Sequence, residues 1–186
     1  MHADPYNHPN TYNIYYLKDM QLVVFFCDPV KRAFAQWEDD RARAVQTRRF
    51  AECMRDDLKA QAEKEDYAGR GMYGAQLEFA LTLFPRDQML MLREEDFFAN
   101  PAQTLMSICE FLSIPCSASD FAHLRTQEAT PPGVGVDIPV ERGVAEEDMR
   151  YMLDLYKDDL EVFRGLSGLD VSDWLTMRVR SNHAEE

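Results

Sequence analysis

Gln21-Leu22-Val23-Val24-Phe25-Phe26-Cys27-Asp28-Pro29-Val30-Lys31-Arg32-Ala33-Phe34-Ala35 is the stretch on which the fold turns. Its first half is apolar without alternation. A strand with one wet face alternates with period two, so this run predicts a strand buried on both faces, as in a parallel sheet. Asp28-Pro29 then ends the strand and opens a helix. Asp accepts hydrogen bonds from the open N–H groups of a first turn, and Pro, lacking an N–H, suits the first helical position. Val30, Phe34, Trp37 and Val45 follow at near-helical spacing with charged residues between them, which predicts an amphipathic helix. Phe34 and Trp37 share a face with Val30, so both are expected in the core.

A second unalternating run, Gln88-Met89-Leu90-Met91-Leu92, predicts another buried strand. Two such runs joined by a helical crossover are expected to lie side by side as central strands of one parallel sheet. Between them the helical pattern continues, with a break, through Phe50, Met54 and Leu58 towards Glu65. Ala68-Gly69-Arg70-Gly71 interrupts it, and Ala75–Phe84 reads as a short helix stopped by Pro85. Asn100-Pro101 caps a further helix with Leu105, Ile108, Cys109 and Leu112 facing inward. Thr130–Pro139 is too rich in Pro and Gly to be helix and reads as a loop. Glu146–Arg164 is the cleanest amphipathic helix, with Met149, Leu153, Tyr156, Leu160 and Phe163 in one stripe and Gly165 placed as its C-cap glycine. The fold class is therefore α/β, a small parallel sheet flanked by helices. Residues 1–20 read as an irregular arm, 21–176 as the domain and 177–186 as a polar tail.

The whole chain has 186 residues, of which 46% are apolar and 28% charged. That is enough for one domain with a real core. Eleven Phe, 8 Tyr and 2 Trp exclude wholesale disorder. The longest apolar run, Leu22–Cys27, is far short of the roughly 20 residues a spanning helix needs, and residues 1–16 show no apolar core of a secretory signal. The chain reads as soluble, with its compartment undetermined. Lys plus Arg is 20 and Asp plus Glu is 33, a formal charge of −13. A field of that sign opposes binding to nucleic acid or anionic membrane. The charge is uneven: six bases against three acids over Lys31–Arg49, and eight acids against four bases over Glu141–Arg164. The first cluster reads either as a solvated helix face or as a local anion site in an acidic protein.

Cys27, Cys53, Cys109 and Cys116 form no CxxC pair and lie near no His cluster, so no metal site is expected. Cys109 reads as a buried thiol. His2, His8, His123 and His183 are dispersed, and only His123 lies inside the domain. No nucleophile elbow, phosphate-binding loop, dinucleotide fingerprint or HExxH motif is present.

The segments do line up, in order, with a family. Cys27-Asp28-Pro29-Val30-Lys31-Arg32-Ala33-Phe34-Ala35 resembles the R-D-P-x-x-R-A-x-S segment of sulfotransferases. Gly71-Met72-Tyr73, Leu77, Phe84-Pro85, Gln88–Leu92, Glu95-Asp96, Asn100-Pro101 and Phe111-Leu112 resemble the G-x-Y…L…F-P…Q-I-L-V-L…E-D-L…D-P…F-L-G-L stretch of heparan-sulfate-type and related bacterial members. Leu153, Tyr156 and Leu160 through Trp174 resemble the closing helix and terminal Trp. The resemblance covers about Gln21–Trp174. It implies the P-loop-NTPase-like sulfotransferase fold and the transfer of a sulfuryl group from 3′-phosphoadenosine-5′-phosphosulfate (PAPS) to a hydroxyl or amine of a glycan, small molecule or protein. It also implies that positions 27, 32 and 35 meet the donor's 3′-phosphate. Arg32 is retained there, while Cys27 and Ala35 stand where the family has Arg and Ser. The phosphosulfate cradle would precede the first strand, where Met1–Met20 contains no glycine, so the domain reads as N-terminally incomplete. The late basic loop of heparan-type members would fall at Pro132–Pro139, which has no Lys or Arg. No residue emerges as the catalytic base. Two functions follow: a PAPS-dependent transferase, or an inactive sulfotransferase-like protein acting as a structural or protein-interaction subunit.

Overall fold

A computed structural model describes residues 20–57, 66–124 and 144–178. Strand β1 (Leu22–Phe26) leads into helix α1 (Pro29–Ala42), followed by α2 (Phe50–Asp57). A 3-10 turn (Gly69–Gly71) precedes α3 (Tyr73–Leu83), and strand β2 (Met89–Arg93) follows. Helices α4 (Glu94–Ala99), α5 (Pro101–Phe111), α6 (Glu146–Ser167) and α7 (Leu175–Arg178) complete the described elements. The expected continuation of α2 through Leu58 to Glu65, the Thr130–Pro139 loop, and most of the N-terminal arm and polar tail lie outside the described residues. None of the described helices is long and apolar enough to cross a membrane.

The two strands pair in parallel, with Leu22 opposite Met89 and Phe26 opposite Arg93. Among the described residues they form a two-stranded sheet, so neither strand is central in it. The expected burial on both faces also fails. Met89 and Met91 point into the core while β1 is largely half-buried, and Phe25 is 42% exposed. Helices cover one face of the sheet well. On the other, Phe25 meets Phe97 of α4 in an edge contact at 5.6 Å.

Helix α1 starts as its sequence predicts. Asp28 Oδ1 accepts from the N–H groups of Val30 and Lys31, and Pro29 is the first helical residue. Val30, Ala33 and Phe34 are fully or almost fully buried, but Trp37 is only half-buried, against the expectation that it is a core residue. Its indole N–H donates to the Arg48 carbonyl at 3.0 Å, which holds the ring at the rim of the core. Val45 falls outside the helix and is 57% exposed. The helix stops at Ala42 because Ala44 takes φ 59° and the N–H groups of Val45 and Gln46 both return to the Asp40 carbonyl.

The core is closed by α6. Its stripe of Met149, Leu153, Tyr156, Leu160 and Phe163 is buried as the spacing predicts. The helix runs one turn further than expected. Gly165 lies within it, with open space where a Cβ would stand, and Gly168 takes the left-handed cap at φ 73° with its N–H on the Arg164 carbonyl. Asp159 of α6 accepts from the N–H groups of Gly74 and Ala75 at 2.7 and 2.9 Å, so its carboxylate caps α3. The two helices approach so closely that a Cβ on Gly74 would stand 2.3 Å from the Asp159 carbonyl oxygen. A Cβ on Gly71 would meet the Tyr156 ring at 2.7 Å. The glycine cluster is thus a crossing point as well as a helix breaker.

Helix α5 is peripheral. Asn100 caps it through the Gln103 N–H, but Leu105, Ile108, Cys109 and Leu112 are half-buried rather than inward-facing core. Cys109 is not sequestered. Ser113 takes φ 56°, the Ile114 N–H returns to the Cys109 carbonyl, and the chain turns so that the Cys116 thiol hydrogen-bonds Cys109. That bond pushes the Cys116 thiol up to about 11. The thiolate is the nucleophile, so at pH 8 Cys116 is expected to react with iodoacetamide several-fold more slowly than an ordinary exposed thiol. Cys109→Ala should accelerate it, as mass spectrometry of a labelling time course will show. An identical rate in the variant would mean that the two thiols do not interact.

Candidate functional site

In parallel α/β sheets, ligand sites lie beyond the carboxyl ends of the strands. Here β1 delivers Cys27 and Asp28 to that edge and β2 delivers Arg93, Glu94 and Glu95. Beneath the edge lies an aromatic cluster. Phe26 meets Phe163 at 4.7 Å and Tyr73 at 5.2 Å, and Trp174 stacks on Phe163 at 6.0 Å with planes 13° apart.

The C-terminal segment is pinned across the same edge. Asp28 is completely buried, and while Oδ1 caps α1 its Oδ2 accepts from both the N–H and the hydroxyl of Thr176 at 2.9 and 2.8 Å. Arg93 donates to the Asp170 carbonyl and pairs with Asp173 at 2.6 Å. Trp174 faces the Glu95 carboxylate, whose pKa burial raises, against the pull of its own backbone N–H, Arg93 and the indole.

The three positions tied by resemblance to a 3′-phosphate gather around the start of α1. Cys27 is half-buried, and its thiol lies beside Glu94. Burial pushes that thiol far up, and the carboxylates of Glu94, Glu95 and Asp28 push it further. Arg32 spends its fork inside the protein: Nη1 donates to Gln36 at 2.9 Å and Nη2 to the Tyr67 carbonyl. Its Nε–H alone is buried without a partner. Ala35 is half-buried and offers no polar atom. Tyr73, beside Cys27 and Arg32, is buried, and burial raises its phenol well above the ordinary range.

A donor with a 3′-phosphate needs a free guanidinium fork or hydroxyls and a positive potential. This corner has one spare N–H and three carboxylates close to the thiol, so these residues do not fit the phosphate. Sequence reasoning located Cys27, Arg32 and Ala35 but missed Glu94 as the partner of Cys27 and Thr176 as the partner of Asp28. The first follows from a rule available in advance, that residues just past a parallel strand line the site. The second had no local signal.

No protein-family model matches the sequence, and no curated protein matches it. Among solved structures, the backbone is similar to the crystal structure of a sulfotransferase from Alicyclobacillus acidocaldarius, with a TM-score of 0.64 and 21% sequence identity. The alignment covers 83% of this chain.

The chain has a sulfotransferase fold.

It spans 57% of the length of that sulfotransferase. Placed in the sulfotransferase fold, the strand–turn–helix at residues 22–42 and the second strand at 89–93 acquire a common reading. They are two neighbouring strands whose carboxyl ends face a shared edge, and the sulfotransferase-like segments of the sequence bracket that edge.

Proposed function

We propose that this chain is a sulfotransferase-like domain without donor-binding activity at its 3′-phosphate corner, serving as a structural or protein-interaction subunit. The observation that carries this reading is the internal use of Arg32. Its fork is committed to Gln36 and the Tyr67 carbonyl, while the half-buried Cys27 beside it lies next to Glu94. A phosphate there would have to displace two hydrogen bonds and approach three carboxylates. The surface such a subunit would present to a basic protein partner is the outer face of α6, where Glu146, Glu147, Asp154 and Asp158 are exposed.

The competing reading is a PAPS-dependent sulfotransferase, active on a hydroxyl or amine acceptor, and the fold itself favours it. Calorimetry with adenosine 3′,5′-bisphosphate separates the two. The inactive reading expects no saturable heat up to millimolar nucleotide, and a dissociation constant in the low micromolar range would overturn it. Cys27→Arg with Ala35→Ser is expected to leave binding absent, because an arginine introduced at position 27 meets Glu94 and Glu95 before it meets phosphate. Tight binding by the double variant would show that the pocket survives and only its donors were lost.

A further inference from the structure

The basic cluster noticed in the sequence divides: Arg32 lies at the Cys27 corner, while Arg41 and Arg49 border a cleft between α1 and the turn into α2. Two adjoining lobes, of about 260 and 150 Å³, share Phe34, Trp37 and Arg41 as walls. The half-exposed ring in the cleft is Trp37, which packs on the buried rings of Phe34 at 5.4 Å and Phe50 at 5.7 Å. Arg41 stacks over Trp37, its guanidinium carbon 4.9 Å from the ring centre. Arg49 lines the second lobe and Glu38 the first.

Three features make this a formed site. Trp37 is held by its hydrogen bond to the Arg48 carbonyl, and the turn carrying that carbonyl is itself fixed by Gln46 Oε1, which accepts from the N–H groups of Thr47 and Arg48 at 2.9 Å each. The two arginines are exposed, and among the described residues neither guanidinium pairs with a carboxylate, in contrast to Arg43, which binds Asp39 and Asp40. Two guanidinium groups and one carboxylate leave the cleft one positive charge in an acidic protein.

We infer that the α1–α2 cleft binds a small planar aromatic monoanion, its ring against the half-exposed Trp37 and its oxyanion on Arg41 and Arg49. Lobes of this size admit a single ring with its charged group and exclude a folded peptide segment. Aromatic faces and a stacked guanidinium recognise a flat ring, and paired arginines recognise a carboxylate or sulfate ester oxygen. The inference is independent of whether the Cys27 corner holds a donor.

The test is an NMR titration of the full chain that follows the Trp37 indole N–H, assigned with Trp37→Phe. Probes are phenyl sulfate and benzoate, with benzyl alcohol and inorganic sulfate as the ring-only and charge-only controls. Phenyl sulfate and benzoate are expected to shift the Trp37 signal with dissociation constants of about 0.1–1 mM, the range open to so few atoms. Each control should bind about tenfold more weakly or worse. The Arg41→Gln, Arg49→Gln double variant should lose about tenfold in affinity with its thermal midpoint within a few degrees of the parent, since both side chains are exposed. No shift at 10-fold above about 1 mM ligand, a control binding as tightly as the aryl anions, or an undiminished affinity in the double variant overturns the assignment.

Discussion

Asp28→Ala is expected to lower the unfolding free energy by about 3 kcal/mol or more, because it strands several donors in a dry site. The carboxylate serves Val30, Lys31 and both donors of Thr176, and no part of it reaches solvent. Two further variants separate the halves of the effect. Asp28→Asn keeps one accepting oxygen and turns an amide N–H₂ against donors on the other side, so it should be nearly as damaging. Thr176→Val removes only the hydroxyl bond and leaves the backbone N–H bonded, for a loss of about 1 kcal/mol. Urea unfolding followed by circular dichroism reads all three. A midpoint for Asp28→Ala equal to that of the parent would mean that the buried network does not form.

Trp174→Ala is expected to cost about 3–5 kcal/mol, the range for deleting a buried large aromatic. The indole is 2% exposed and is shared between Phe163 and Tyr73. Its loss opens a cavity directly beneath the carboxyl edge of the sheet. Trp174→Phe should cost less, since a ring remains to stack on Phe163. Thermal unfolding decides the matter, and a cost below about 1 kcal/mol would place Trp174 outside the core.

Much of this fold is legible in one dimension. The two unalternating apolar runs pair in parallel as their pattern predicts, and α6 buries the stripe its spacing draws. Where reading along the chain falls short, the reason is a neighbour remote in sequence. Phe25 looks like core because its own segment is apolar, yet it stays 42% exposed beside Phe97. Trp37 looks like core by periodicity, yet the chain turns at Ala44 and the indole stays half-buried at the rim, bonded to the Arg48 carbonyl. Gly165 reads as the cap in sequence, yet the helix continues to Ser167 and the left-handed cap falls on Gly168. At the candidate site, Cys27, Arg32 and Ala35 are visible as substituted or retained motif positions. What they touch is not, since Glu94 and the Tyr67 carbonyl come from other elements.

The bond between Asp28 and Thr176 joins residues 148 positions apart, and this governs how the chain matures on the ribosome. As β1 and α1 emerge, the first turn of α1 can be capped by one carboxylate oxygen, while the other stays hydrated. Burying that second oxygen waits for Thr176, by which time α6 and its aromatic stripe have already been made. Docking of the segment that carries Thr176 therefore follows the making of α6, and it is the event that buries the second carboxylate oxygen. Until then the nascent domain keeps that oxygen wet and Phe163 without its stacked indole, a surface open to chaperones and proteases that the finished fold conceals.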